Sequence, residues 1–160
     1  MDMGNKELIQ KFYTSFSEGN AAGMVACYHD EVVFEDPAFG QLKGERAKKM
    51  WEMLLSKKGG AAKISFDQVH ATADSGAAHW LAEYTYGKQN RKVINRVEAS
   101  FKFKEGKIIE HIDSFDLWKW TQQAMGLSGY LLGWSSFIKT KIQQTTKAKL
   151  DAFLESQSSQ

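Results

Sequence analysis

The sequence has few of the residues that cross-link or anchor a protein. Its single cysteine, Cys27, cannot form an internal disulfide, which fits a reducing compartment. Residues 1–6 have no apolar run behind them and do not resemble a secretory signal. The longest mostly apolar stretch, residues 127–138, is too short to span a bilayer. We therefore expect a cytoplasmic protein.

Charge of one sign and metal-binding side chains are also scarce. The chain of 160 residues has a formal net charge of +2 and no dense run of Lys or Arg, so nothing predicts a nucleic-acid partner. His29, His70 and His79 are too scattered to make a metal site. We expect no metal and no cofactor.

The order of the secondary-structure signals predicts an α+β fold. Apolar residues at helical spacing predict three helices, and alternating residues predict strands before the lone proline and over residues 64–73 and 77–86. Glycines predict a turn at 40–44. Helices followed by strands favour a cone-shaped, curved antiparallel sheet wrapped around the N-terminal helices, with an apolar pocket on the concave side. We assign residues 1–126 to this domain and 127–160 to a helical C-terminal extension.

The last predicted hairpin, residues 92–117, carries two ionisable side chains whose direction matters. Apolar residues occupy most odd positions of its first strand, and His111 and Asp113 occupy odd positions of its second. The two side chains lie on the buried face only if the loop between the strands preserves this alternation.

The length of that loop decides the register. A two-residue loop would place Asp113 on the solvent face, whereas a three-residue loop ending at Gly106 would pair Val97 with Asp113 and Ala99 with His111. We predict the three-residue loop, because glycine suits its last position. Both ionisable groups then point into an apolar interior.

Asp113 and His111 are the leading catalytic candidates. They are two residues apart on one strand, and a carboxyl group among apolar side chains suits a general acid or base. Alternatively, they hydrogen-bond each other or cap the tail helix, or Asp113 accepts a hydrogen bond from the indole of Trp118 or Trp120.

Asp36 is the third candidate. It is either a second acid aimed into the pocket or part of an ordinary Asp-Pro turn with Pro37. If it shares a pocket with Asp113, repulsion would keep one of the two protonated at neutral pH. The predicted substrate-binding wall consists of apolar and aromatic side chains, which in proteins are more often core: Phe12, Phe16, Phe34, Trp51, Trp80, Tyr84, Val97, Ala99, Phe101 and Phe115.

The tail carries a thin apolar stripe and should pack on something to be stable. The favoured partner is its own domain or a second subunit, and contact of residues 127–154 with an anionic membrane or a partner protein is the alternative. The stripe comprises Trp134, Ile138, Ile142 and Phe153. We expect residues 155–160 to be disordered. A homodimer would use the outer sheet face, with Ile94, Ile108 and Ile112.

Three patches of sequence resemble one superfamily. Residues 9–37 are similar to the N-terminal half of ketosteroid isomerases, and residues 105–109 to the last hairpin. Residues 111–116, with residues 123–126 downstream, are similar to the ending of SnoaL-like polyketide cyclases. Both belong to the nuclear transport factor 2-like (NTF2-like) superfamily, as do limonene epoxide hydrolases. The resemblance implies the cone fold, frequent homodimers and a pocket for a hydrophobic, ring-containing or polyketide-like molecule, but many functions share this fold.

The resemblance implies only some of the catalytic residues of these enzymes. The isomerase general base falls on Asp36, but its oxyanion donors fall on Phe12 and Ala99, which have no proton to donate. Tyr13 is expected on a different helical face, where it cannot substitute. The cyclase base and the epoxide hydrolase acid both fall on Asp113. A standard ketosteroid isomerase is therefore not expected.

These observations predict a protein that binds small hydrophobic molecules. In the leading hypothesis it is a cofactor-independent SnoaL-like cyclase, isomerase or hydrolase that uses Asp113 as general acid/base, assisted by Asp36 and His111. The alternative is a non-catalytic ligand-binding or dimeric scaffold protein that uses its C-terminal tail.

Overall fold

The computed structural model describes residues 4–56, 62–133 and 135–158. Within these residues, no helix is long and apolar enough to cross a membrane. In chain order, the elements are α1 Asn5–Ser17, α2 Ala21–Val25, β1 Tyr28–Asp36, β2 Gly40–Lys43, α3 Glu45–Leu55, β3 Lys63–Ala71, β4 Ser75–Tyr86, β5 Arg91–Lys104, β6 Lys107–Ser114, α4 Leu117–Met125, α5 Leu127–Leu132 and α6 Ser136–Ser158.

The six strands form one curved, unclosed sheet in the order β2-β1-β6-β5-β4-β3. All neighbours are antiparallel except β1 and β6, which run parallel. The predicted α+β cone with a helical C-terminal tail is confirmed. The predicted turn at 40–44 is wrong, because Gly40–Lys43 forms β2 and buries Leu42 opposite Phe34.

The core lies between the sheet and the helices. The apolar stripe of α1 buries Ile9, Phe12 and Tyr13 completely, and α3 buries Met50 and Trp51 against the same cluster. The alternation within β5 places Val97, Ala99 and Phe101 on the helix-facing side. The periodicity of these elements therefore produces a layer of helices over the concave side of the sheet.

The turn between β5 and β6 is shorter than predicted. Lys104 pairs with Lys107, so the loop contains only Glu105 and Gly106. Both have left-handed backbones, with φ of 54° and 76°, as in the two-residue turns that match strand twist. The prediction of a three-residue loop is wrong.

A bulge in β6 restores the inward direction of the two ionisable residues. The register shifts by one at Ile109, so Asp113 pairs with Ala99 and His111 with Phe101 instead of the predicted partners. One extra residue exchanges the two faces of a strand. His111 and Asp113 are consequently 0% and 3% exposed.

The bulge also changes the predicted outer face. Ile108 precedes the extra residue and pairs with Phe103 on the inner side, where it is fully buried. It was expected on a homodimer surface with Ile94 and Ile112, which are partly buried. The Ile108 assignment is wrong, and homodimerisation stays a prediction.

The tail packs on its own chain. Leu150 of α6 is fully buried in the main core, and Thr146 Oγ1 donates a hydrogen bond to the carbonyl oxygen of Ala38 at 2.7 Å. Ile142 of the predicted stripe is buried, whereas Trp134 lies outside the described residues. The helix continues to Ser158, so disorder from residue 155 is not what the described residues show.

Candidate functional site

Asp113 and His111 form a buried pair. His111 Nε2 lies 2.8 Å from Asp113 Oδ1, and neither side chain is more than 2% exposed. Their spacing of two residues along β6 aims both side chains to the same side of the sheet. The predicted hydrogen bond between His111 and Asp113 is confirmed.

The pair extends into a chain of hydrogen bonds. Trp51 Nε1 donates to the Tyr28 hydroxyl at 2.9 Å, and that hydroxyl lies 2.7 Å from His111 Nδ1. An indole N–H can only donate, so the Tyr28 oxygen accepts from it and its own proton is directed to Nδ1. In this arrangement the imidazole of His111 carries its proton on Nε2, and this N–H donates a hydrogen bond to Asp113 Oδ1.

A second indole completes the environment of Asp113. Trp80 Nε1 donates to the same Oδ1 at 3.3 Å. The predicted indole donors were Trp118 and Trp120, which instead donate to the Tyr130 carbonyl and the Tyr84 hydroxyl. Among the residues that the structure describes, the side-chain hydrogen bonds to Asp113 converge on Oδ1.

Aromatic rings fill the space around His111. The ring centroids of Phe101, Phe34 and Phe12 lie 4.5, 5.2 and 5.3 Å from that of the imidazole. Trp51 stacks nearly parallel to it at 6.3 Å. This part of the predicted pocket wall is therefore packed core.

The remaining predicted wall residues differ in their exposure. Val97 and Ala99 are buried, whereas Phe16, Trp80, Tyr84 and Phe115 are partly exposed. Burial raises the pKa of the Tyr84 phenol, and the charge of Asp36 adds to the rise. Trp80, Val97 and Phe115 also border an open groove of about 740 Å³, whose other lining residues are mostly polar.

Asp36 forms the predicted turn with the residues that follow Pro37. Its Oδ1 accepts hydrogen bonds from the backbone N–H groups of Ala38 and Phe39, at 2.9 and 2.6 Å, which is the predicted turn. Burial raises the pKa of this carboxyl from 3.8 to about 7, and the charge of Asp113 contributes to the rise. Asp36 is thus a carboxyl group that is protonated in a large fraction of molecules at neutral pH.

The raised pKa predicts a specific pH dependence of stability. Between 3.8 and about 7, folded Asp36 holds a proton that the unfolded chain has lost. The free energy of unfolding should therefore fall as the pH rises through this window, by on the order of 1 kcal/mol per pH unit. Asp36→Asn keeps an acceptor for both N–H groups and should flatten this slope in urea titrations.

The neighbouring Glu35, whose side chain is exposed, supplies the matched control for Asp36. Glu35→Gln removes a carboxyl group one residue away and should leave the slope as in the parent protein. If Asp36→Asn retained the parent slope, another group would have to carry it.

Tyr13, which was not expected to take part in the site, is a further functional candidate. Its ring is fully buried, stacks on Phe66 at 5.5 Å and lies 6.2 Å from Trp80, the donor to Asp113. Among residues 4–56, 62–133 and 135–158, its hydroxyl is the buried side-chain polar atom without a hydrogen-bond partner. Burial raises the pKa of the phenol, and the charge of Asp113 raises it further.

Tyr13 was expected on a different helical face from Phe12, but both side chains lie on the buried side of α1. Both rings are fully buried and meet edge to face at 5.2 Å, because adjacent positions can share a broad apolar stripe. The spacing of Ile9, Tyr13 and Phe16 in the sequence already indicated that Tyr13 belongs to the apolar stripe.

No metal site is seen in the described part of the chain, which contains no group of three or more His, Cys, Asp or Glu residues that could hold an ion.

Comparisons with known proteins agree with this fold. The family model of the SnoaL-like domain matches residues 9–111, more than half of the chain, and ends before Asp113. No curated protein matches.

Solved structures share the architecture at low sequence identity. An NTF2-like protein of unknown function from Burkholderia pseudomallei has a TM-score of 0.65 at 14% identity, with 77% of this chain and 99% of that chain covered. An LEH-like epoxide hydrolase from M. tuberculosis has a TM-score of 0.62 at 16% identity, covering 78% and 92%.

A third structure is a protein of ketosteroid isomerase-like fold from Catenulispora acidiphila in complex with trimethylamine. Its TM-score is 0.63 at 10% identity, and 74% of this chain and 92% of that chain are covered. At such identities the likeness concerns the fold alone. The family match and the cone architecture together identify this chain as a member of the SnoaL-like family, within the NTF2-like superfamily.

Proposed function

We propose that this protein binds a hydrophobic, ring-containing small molecule and catalyses proton transfer on it, with Asp113 as general base or acid. The observation that carries the proposal is the Asp113–His111 pair, buried at 2.8 Å inside an apolar core. Burying an ionisable pair costs free energy that an apolar pair would not. A role in proton transfer accounts for its position.

Two further groups have complementary roles. Asp36, with its pKa raised to about 7, is the candidate proton donor, and Asp113 is the candidate proton acceptor. The unpartnered Tyr13 hydroxyl would donate a hydrogen bond to an oxygen of the ligand. It would supply the donor that Phe12 and Ala99, both apolar and buried, cannot provide.

These proposed roles restrict the class of ligand. We expect a ligand with an apolar ring and with one oxygen acceptor, such as a carbonyl or an epoxide, that accepts a hydrogen bond from Tyr13. His111 positions the Asp113 carboxylate through Oδ1, so that Oδ2 receives or returns the proton. The chain's own groups suffice for such a step without a cofactor.

A panel of ring-containing ketones, epoxides and polyketide-like aromatics tests the proposal. Binding is followed through quenching of tryptophan fluorescence, and turnover by chromatography of each mixture. We expect at least one class to bind and to be converted. Binding without conversion throughout the panel would favour the non-catalytic ligand-binding alternative.

Tyr13→Phe should have opposite effects on stability and on binding. Removing an unpartnered buried hydroxyl should raise the free energy of unfolding by about 1 kcal/mol, because the desolvation penalty disappears. The affinity for a ligand with an oxygen acceptor should fall about tenfold, whereas an oxygen-free analogue should bind unchanged. Urea unfolding and fluorescence titrations measure the two effects.

Tyr28→Phe is the matched control, because the Tyr28 hydroxyl bonds both Trp51 and His111. It should lower the free energy of unfolding by about 1–3 kcal/mol. A loss of stability in Tyr13→Phe similar to that in Tyr28→Phe would contradict the role assigned to Tyr13.

A further inference from the structure

The helices that follow the sheet expose large apolar side chains. Within α4, α5 and the first turn of α6, six such residues are between 39% and 74% exposed, and we call them the helical patch: Trp118, Met125, Leu127, Tyr130, Leu131 and Phe137. Trp118 and Tyr130 lie together, with ring centroids 5.9 Å apart. Several large exposed apolar side chains within one segment indicate an interaction surface.

The packing of α5 explains why its large side chains point outwards. Gly129 and Gly133 are buried against Thr121 of α4, so closely that a Cβ atom at either position would overlap that residue. The small residues of α5 therefore face the protein, and Leu127 and Tyr130 face away from it. An ordinary surface helix has the opposite arrangement.

The segment that carries the helical patch is rich in positive charge. Residues 117–149 contain five lysines and no Asp or Glu, although the whole chain has a net charge of only +2. Lys119 follows Trp118 in the chain, Lys139 and Lys141 follow Phe137 within four residues, and all three are exposed. The rest of the chain is correspondingly acidic, so the positive charge is concentrated in this segment.

We propose that the helical patch docks on the surface of an anionic lipid bilayer. Aromatic and aliphatic side chains surrounded by lysines suit the interface, where apolar groups enter the acyl region and lysines meet negative headgroups. The described helices do not span a bilayer, so the contact is peripheral. A second copy is a poor occupant, because a two-fold contact would bring two positive surfaces together.

Docking would also orient the candidate site. On the opposite side of α4, Trp120 donates to the Tyr84 hydroxyl at 2.6 Å and packs on Tyr86. This end of the sheet would then face the bilayer, in which hydrophobic ligands dissolve. The docking itself does not depend on the acid/base chemistry of Asp113.

Co-sedimentation of the full chain with lipid vesicles tests the proposal. We expect binding to phosphatidylcholine vesicles that contain phosphatidylglycerol, weak binding to phosphatidylcholine alone, and loss of binding at high salt. Leu127→Ser with Phe137→Ser should weaken binding by at least about tenfold. Both side chains are more than 70% exposed, so the fold should be retained, which circular dichroism checks.

Lysine variants test the electrostatic part of the membrane contact independently. Lys139→Gln with Lys141→Gln should weaken binding about 25-fold, at about fivefold per lysine near the surface. Lys43→Gln with Lys104→Gln removes the same charge from exposed positions elsewhere and should change binding little. Equal effects of the two pairs, or no binding to anionic vesicles at low salt, would overturn the proposal.

Light scattering addresses the remaining alternative. If Leu127→Ser with Phe137→Ser converted a dimer to a monomer and the parent bound no vesicles, the helical patch would be an interface between copies, and the membrane proposal would be overturned.

Discussion

Asp113→Asn is expected to lower kcat for a converted ligand by about 10²- to 10⁴-fold while the fold is retained. Asparagine keeps an oxygen that accepts from His111 and Trp80, so the hydrogen bonds that hold the side chain remain possible. What the variant loses is the ability to take up a proton. Ligand affinity should therefore change much less than turnover, and steady-state kinetics beside fluorescence titration separates the two.

Glu98→Gln is the matched control for this experiment. Glu98 lies on β5 next to Ala99, the strand partner of Asp113, but its side chain is 77% exposed on the other face. Removing this carboxylate should leave kcat within about twofold of the parent value, because the group is screened by water. Equal losses in both variants would mean that Asp113 contributes only general charge.

Phe12→Ala is expected to cause the largest loss of stability, about 3–5 kcal/mol in the free energy of unfolding. The Phe12 ring is fully buried and lies within 5.3 Å of the rings of Tyr13, Tyr28 and His111. Its removal would leave a cavity beside the hydrogen-bond chain. Urea unfolding followed by far-ultraviolet circular dichroism measures the change.

Phe137→Ala makes the same truncation at a side chain that is 72% exposed. Its effect on the free energy of unfolding should stay within about 0.5 kcal/mol, since little area is buried in the folded chain. If the two variants were equally stable, Phe12 would not be the centre of the packed core that the structure shows.

The hairpin of β5 and β6 shows how far a residue pattern can be taken. The alternation in β5 correctly predicted a strand with one buried face, because a strand side chain can point in only two directions. The loop length was predicted wrongly, and the bulge at Ile109 was not predicted at all. Two departures from the expected geometry offset each other, so the inward direction of Asp113 did not follow from the reasoning used to predict it.

Tyr13 illustrates a different kind of difficulty. Helical spacing placed it in the apolar stripe of α1, but no local pattern reports whether a buried hydroxyl finds a partner. That property depends on side chains from β3, β4 and β5, which are distant in sequence. Likewise, the donor to Asp113 is Trp80 of β4, not an indole close to it in the chain.

By itself, the sequence determined the types of most elements, the α+β class and the membership in the superfamily. These follow from apolar periodicity and short patches of residues, which act locally. Only the tertiary structure decided the register of the last hairpin, the hydrogen-bond chain from Trp51 to Asp113, the raised pKa of Asp36 and the outward face of α5. The hydrogen-bond chain and the burial of Asp36 depend on residues far apart in the chain that meet only when the sheet curves around the helices. The bulge at Ile109 and the packing of α5 on Thr121 depend on contacts between elements, which local patterns do not report.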